Sequence, residues 1–73
     1  MELTKQFSLN FRKARTAKGL SQAEVADKLG CATSYVSMLE RGARTPSLDF
    51  IETSAKILGV PAISLLTSAK GGA

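Results

Sequence analysis

The sequence contains no histidine and only one cysteine, which narrows the chemistry open to it. A lone cysteine excludes an intrachain disulfide and is typical of a reducing compartment. Without histidine, one cysteine cannot supply the ligands of a structural zinc site. We therefore expect neither a metal nor another cofactor. No glycine-rich phosphate loop is present and no motif arranges Ser, Lys or Asp as a catalytic group, so we expect the protein not to be an enzyme.

Long apolar runs are absent as well. No stretch approaches the roughly 18 apolar residues of a membrane span, and the N-terminus lacks the apolar core of a signal peptide. We expect a cytoplasmic protein of bacterial or phage origin, with no membrane partner. The 73 residues suffice for one domain, which we place at residues 1–69, followed by a flexible tail at 70–73.

Positive charge exceeds negative charge. Ten Lys and Arg residues against six Asp and Glu residues give a net charge of +4. This balance favours a polyanionic partner such as nucleic acid. An ordinary soluble basic domain has the same balance, so charge alone does not decide the function.

Residues 21–42 predict two short helices joined by a tight turn. Ser21 and Glu24 have the spacing of a capping box, which begins a helix at Gln22. That helix ends at Leu29, because the following Gly30 can take the left-handed conformation of a helix stop. A second helix follows residues 30–32 and ends before Gly42. Two helices joined through such a turn form a helix-turn-helix unit, whose second helix fits the major groove of DNA.

Apolar spacing predicts three further helices and no strand, which gives an all-α, five-helix domain. The first covers residues 4–18. The fourth is capped by Ser47 and ends at Gly59, with an apolar stripe of Leu48, Ile51, Ala55 and Leu58. A short fifth helix covers residues 62–67.

The fifth helix is a candidate for self-association. We expect Ile63 and Leu66 to turn inward and Leu65 to point outward. An outward Leu65, with Ile63 beside it, would form a dimer interface; the other interpretation is a single exposed leucine, which is common. Dimerisation would also supplement the limited core of so small a chain.

Several motifs resemble one known family in order and spacing. The segments SQAEVADKLG and SYVSMLERG, preceded by FRKARTAKGL and followed by RTPSLDFIETSAKILGV, resemble the Cro and phage-repressor family of XRE type. This family includes restriction–modification controller proteins and many antitoxins. The resemblance covers residues 11–66 and implies a compact lambda-repressor-like domain that binds double-stranded DNA.

The resemblance also implies which residues contact the DNA backbone. A Gln at the start of the second helix binds a phosphate in the family, and that role falls on Gln22. The segment beyond the third helix carries a second phosphate clamp, represented here by Arg44 and Thr45. Tyr35 and Arg41 are further candidates, whereas we expect Lys28 and Lys56 to be solvated.

Base contacts are assigned by position on the third helix. The outward residues there are Thr33, Ser34, Ser37 and Met38. Ser and Thr read base edges weakly, and a bidentate Arg, Gln or Asn is missing from the first turn. Specificity can then depend on Arg41 or Arg44, on bridging waters or on DNA bending.

Three further features concern residues outside the set of base contacts. Ala32 occupies the position where the family usually has a hydroxyl cap, which leaves Thr33 or Ser34 as the alternative cap. Arg15 matches a family position that pairs with Glu40 at the end of the third helix. Its two roles, in this ion pair and at a phosphate, are compatible. Cys31 lies in the turn, and we interpret it as a core residue rather than a redox sensor.

The sequence leaves several functions open. The first is a homodimeric transcriptional regulator on a pseudo-palindromic operator, either a restriction–modification controller or a phage-type repressor. An activator would also contact RNA polymerase, and the acidic residues here do not decide that point. The second is an antitoxin-like module that neutralises a partner protein. The chain can also be the DNA-binding part of a longer repressor.

Overall fold

The computed structural model describes residues 2–67, which form four α-helices and one 3₁₀ turn. The helices are α1 (Glu2–Ala17), α2 (Gln22–Leu29), α3 (Thr33–Glu40) and α4 (Leu48–Leu58), and the 3₁₀ turn covers Ala62–Leu65. Within this part of the chain there is no strand, and no helix has the length and apolar character to cross a membrane. The predicted tail at residues 70–73 and its boundary lie outside the described residues.

The core forms where the inner faces of all these elements meet. Phe7 and Phe11 of α1 stack with ring centroids 5.4 Å apart and are almost fully buried. Complete burial of such a side chain contributes about 1.5–3 kcal/mol. The other buried apolar side chains come from α2, α3, α4 and the 3₁₀ turn: Val25, Ala26, Val36, Leu39, Ile51, Ala55, Leu58 and Leu65.

The helix-turn-helix forms as its local signals predict. The Ser21 hydroxyl accepts from the Glu24 amide at 3.0 Å, and the Glu24 carboxylate accepts from the Ser21 amide at 2.8 Å. These two bonds satisfy two free amides at the start of α2. Gly30 ends α2 at φ 72°, and Gly42 lies just past the end of α3 at φ 75°. Both glycines therefore occupy the left-handed region that other residues rarely adopt.

Two predictions about the outer helices need correction. Leu48 was expected in the apolar stripe of α4, but it is 78% exposed because it is the first residue of the helix and projects beyond the core. The inner face of α4 instead includes Ser54, which is fully buried. The first helix was expected over residues 4–18, but it begins at Glu2 and ends at Ala17.

The prediction of a fifth α-helix is wrong, and its predicted inward face is confirmed only for Leu66, which is half-buried against the core. The segment forms a single 3₁₀ turn, in which residues three apart share a face. Ala62 and Leu65 share the inner face, and Leu65 is 1% exposed. The buried Leu65 therefore belongs to the core of its own chain and is not a dimer contact. Ile63, expected to turn inward, is 66% exposed.

Candidate nucleic-acid interface

The third helix buries one face and leaves the opposite face open. Val36 and Leu39 have no exposed surface, and α3 packs against α2 and α1. The four residues assigned to base contacts lie on the remaining surface: Thr33 and Ser34 are exposed, and Ser37 and Met38 are half-buried. An α-helix that presents one outward face of this kind has the dimensions to enter a major groove.

The start of α3 has no side-chain cap. Ala32 holds the extended backbone of the capping position, and no side chain accepts from the first turn. The expectation that Thr33 or Ser34 caps this helix is wrong, because capping requires the position that Ala32 occupies. The Tyr35 amide of the first turn donates to the Ala32 carbonyl oxygen at 3.0 Å. Thr33 and Ser34 are exposed, and neither hydroxyl group caps the helix, so both can bond to nucleic acid.

Aromatic packing organises the segment that follows α3. The rings of Tyr35 and Phe50 meet edge to face with centroids 5.5 Å apart. The guanidinium of Arg44 lies 5.9 Å from the centroid of the Tyr35 ring, within the range of a cation–π contact. These contacts place an exposed positive charge beside the phenol, and exposed Arg41 lies at the end of α3.

Side chains of α1 also form hydrogen bonds with the end of α3 and with the segment that follows it. The hydroxyl groups of Thr4 and Thr45 are 3.2 Å apart, and the Ser8 hydroxyl lies 2.7 Å from the carbonyl oxygen of Leu39 at the end of α3. No motif in the sequence assigns Thr4 or Ser8 to this region. The available signal was a small hydroxyl residue beside Phe7 on the buried face of α1, because a buried hydroxyl requires a partner.

Arg15 and Glu40 form the ion pair that the family resemblance implies. Arg15 Nε donates to Glu40 Oε2 at 2.6 Å, and Nη2 donates to Oε1 at 3.0 Å. The third donor, Nη1, binds the carbonyl oxygen of Leu20 at 2.7 Å. Only 11% of the Arg15 side chain and 4% of the Glu40 side chain are exposed, so the pair is largely removed from water. These bonds join α1, the segment just before α2 and the end of α3.

Gln22 joins the same cluster. Its Nε2 donates to Glu40 Oε1 at 3.0 Å, from the first position of α2. The residue is half-buried. The family resemblance implies separate roles for Gln22 and Glu40, and the structure brings the two side chains into contact.

Two ionisable groups near the turn have perturbed pKa values. Hydrogen bonds from the backbone and side chain of Ser21 hold the pKa of Glu24 below its ordinary value, which keeps the capping carboxylate charged. Burial raises the pKa of the Cys31 thiol. Cys31 packs against the core, and a raised pKa disfavours the thiolate that a redox sensor requires.

Comparison with known proteins places these features in a family. A protein-family model described as "Helix-turn-helix" matches residues 11–65. An HTH-type transcriptional regulator of Sinorhizobium fredii, y4dJ, is 39% identical over 67 residues, which are 92% of this chain and 87% of the relative.

Two solved structures share the fold. The restriction–modification controller protein C.AhdI of Aeromonas hydrophila has a TM-score of 0.79 at 40% identity, over 85% of this chain and 94% of that one. SinR, described as the master regulator for biofilm formation and solved in complex with DNA, has a TM-score of 0.77 at 38% identity, over 82% and 97% of the two chains. The full-length SinR of Bacillus subtilis is 41% identical over 56 residues, and the match spans half of its length.

Proposed function

This chain belongs to the helix-turn-helix family, and we propose that it is a sequence-specific regulator of transcription that binds double-stranded DNA as a homodimer. The observation that carries the proposal is the outward face of α3, with Thr33 and Ser34 exposed beside an uncapped helix start. A net charge of +4 favours attraction to the phosphate backbone.

Contacts with DNA divide into two kinds in this proposal. Thr33, Ser34, Ser37 and Met38 read base edges, whereas positively charged and polar groups around them bind phosphates. The phosphate set is Gln22, Tyr35, Arg41, Arg44 and Thr45. Arg15, also predicted for this set, is buried and bonded to Glu40 and to the Leu20 carbonyl oxygen, so its role in this proposal is the ion pair. Phosphate contacts fix the register of the protein on the duplex, and base contacts select the sequence. With only weak readers on α3, the shape of the DNA adds to specificity.

A second copy doubles the number of base contacts and sets the form of the operator. Two-fold symmetry places the two recognition helices about 34 Å apart, so the half-sites are centred about 10–10.5 base pairs apart. We assign the dimer contact to a surface that includes Ile63, which is 66% exposed on a turn packed against α1 and α4. Covering a large apolar side chain at this exposure with a partner surface is favourable, because it removes apolar area from water.

Selection of random duplex DNA by the purified protein tests the proposal. Bound complexes are separated on a native gel, and their protein content is measured. We expect a pseudo-palindromic consensus bound by two chains. No enrichment over random duplex at about 150 mM salt, where phosphate attraction is weakened, would refute sequence-specific binding.

The dimer surface is tested by sedimentation with a matched pair of variants. Ile63→Asp is expected to shift the protein towards monomer, whereas Leu9→Asp, at a comparable 61% exposure on α1, is expected to leave the dimer intact. Dissociation by Leu9→Asp alone would move the interface to the outer face of α1. A monomer in the unmodified protein and on its selected duplex would refute the homodimer.

A further inference from the structure

The carboxylate of Glu40 is the shared acceptor of a three-element cluster. Oε2 accepts from Arg15 Nε of α1, and Oε1 accepts both from Arg15 Nη2 and from Gln22 Nε2 of α2, each at 3.0 Å. Glu40 itself is the last residue of α3. One side chain thus connects the first helix with both helices of the helix-turn-helix.

The chemistry of a carboxylate fixes the orientation of the Gln22 amide. An ionised carboxylate only accepts hydrogen bonds, so the amide must turn its NH₂ group, and not its oxygen, towards Glu40. That NH₂ group has two hydrogens, and Glu40 uses one of them. No hydrogen bond among the described residues uses the second hydrogen, and Gln22 as a whole is only half-buried.

The orientation matters for an anionic partner. A Gln side chain that turned its oxygen outward would repel a phosphate, whereas the NH₂ group donates to it. The negative charge of Glu40 does not itself oppose the approach of DNA, because the Arg15 guanidinium compensates it at 2.6 Å.

We propose that Glu40 is a positioning residue for Gln22: it holds the Gln22 amide in the orientation that donates to a DNA phosphate. This inference rests on the proposed function, since it assigns a role within the same DNA interface. It differs from a purely structural role of the ion pair, which would change the stability of the fold without acting through Gln22.

A variant that removes only Glu40 leaves the buried Arg15 charge unpaired and can prevent folding. The test therefore compares two variants that both lack Arg15. Arg15→Met/Glu40→Gln keeps a carbonyl acceptor beside Gln22, whereas Arg15→Met/Glu40→Met fills similar space without one. The two proteins have the same net charge, and circular dichroism verifies that both are folded.

Binding of each variant to a random-sequence 20-base-pair duplex is measured by fluorescence anisotropy at low salt. A phosphate contact is independent of sequence, so a random duplex reports it. We expect Arg15→Met/Glu40→Met to bind about three- to tenfold more weakly than Arg15→Met/Glu40→Gln. This factor corresponds to the free-energy cost of ordering one side chain, here Gln22, in each copy of the protein. Adding Gln22→Ala to both is expected to abolish the difference.

Two results would overturn the inference. Equal affinities of the two variants, or a difference that persists after Gln22→Ala, would show that Glu40 does not act through Gln22. If the unmodified protein does not bind the duplex at all, the proposed function fails and the inference fails with it. If the unmodified protein binds the duplex but the two variants bind equally well, only the inference fails.

Discussion

Isolating the charge of Arg15 should destabilise the fold strongly. Among the described residues, Glu40→Met removes the acceptor of two of the three side-chain hydrogen bonds of Arg15 and leaves only the bond to the Leu20 carbonyl oxygen. Because the Arg15 side chain is 11% exposed, water compensates the lost partner poorly. Breaking a buried pair in this way costs about 3–5 kcal/mol.

That cost is large for so small a domain. The 73 residues are expected to have a total free energy of unfolding of about 4–11 kcal/mol. At the usual entropy of unfolding per residue, the loss corresponds to a decrease in Tm of about 20–30 °C. Thermal and urea unfolding followed by circular dichroism measure both quantities, at one fixed protein concentration because the proposed dimerisation would make them concentration-dependent.

The control is the double variant Arg15→Met/Glu40→Met. Replacing both charges leaves no unpaired ion, so its free energy of unfolding should lie within about 1 kcal/mol of the unmodified protein, or above it. Two outcomes would refute this reasoning. One is a cost of Glu40→Met below about 1 kcal/mol, the scale of an exposed pair. The other is a double variant as unstable as the single one.

Four further predictions concern binding and stability. Arg44→Ala should weaken binding to all duplexes alike and reduce the slope of log affinity against log salt concentration by about one. The control Lys56→Ala removes the same charge from α4 and should have a smaller effect. A change of base preference in the Arg44 variant would contradict a phosphate role. Met38→Ala should alter the selected consensus at one symmetric pair of positions and leave non-specific affinity unchanged, and an identical consensus would remove Met38 from the base contacts. Ser54→Ala should raise the free energy of unfolding by about 1 kcal/mol, because the buried Ser54 hydroxyl has no hydrogen-bond partner among the described residues. A clear loss of stability in urea unfolding would mean that the hydroxyl does form a hydrogen bond. The capping carboxylate of Glu24 has a lowered pKa, so its stabilisation is fully present above about pH 5 and is lost as pH falls through the folded pKa; Glu24→Gln should flatten the acid limb of the stability–pH curve, and an unchanged limb would contradict this assignment.

The sequence was most informative where a local rule fixes the backbone. The capping box of Ser21 and Glu24 and the left-handed Gly30 placed α2 correctly at both ends. The same segment carried the family resemblance, which the family match over residues 11–65 confirms. Such signals depend on residues a few positions apart and therefore need no knowledge of the tertiary structure.

The C-terminal segment shows where sequence reasoning was insufficient. Residues 62–67 were predicted as a short α-helix, whereas Ala62–Leu65 form a 3₁₀ turn, and the two conformations differ in which side chains share a face. The contact with α1 and α4 decides that Leu65 is inside and Ile63 outside. The prediction that Leu48 belongs to the buried stripe was wrong for a related reason. The first residue of a helix has no preceding helical turn that would direct its side chain into the core.

Sequence reasoning proposed the residues of the candidate site and identified the Arg15–Glu40 pair, but it did not identify the other contacts among these residues. Helical spacing identifies Thr33 and Ser34 as outward residues, and the family resemblance supplies the roles of Gln22 and Arg15. The bond between Gln22 and Glu40 joins residues 18 positions apart in the chain and depends on how α2 packs against α3. Contacts of this kind arise from the tertiary structure and leave no periodic signal in the sequence.

The most direct test of the central claim is the ratio of two dissociation constants at about 150 mM salt. One is measured on the selected duplex, and the other on a duplex of equal length and composition with both half-sites scrambled. A sequence-specific regulator is expected to bind the selected duplex at least about 10³-fold more tightly, with two chains per duplex. Equal affinities would contradict the proposal and leave only the general attraction of a basic protein for phosphate.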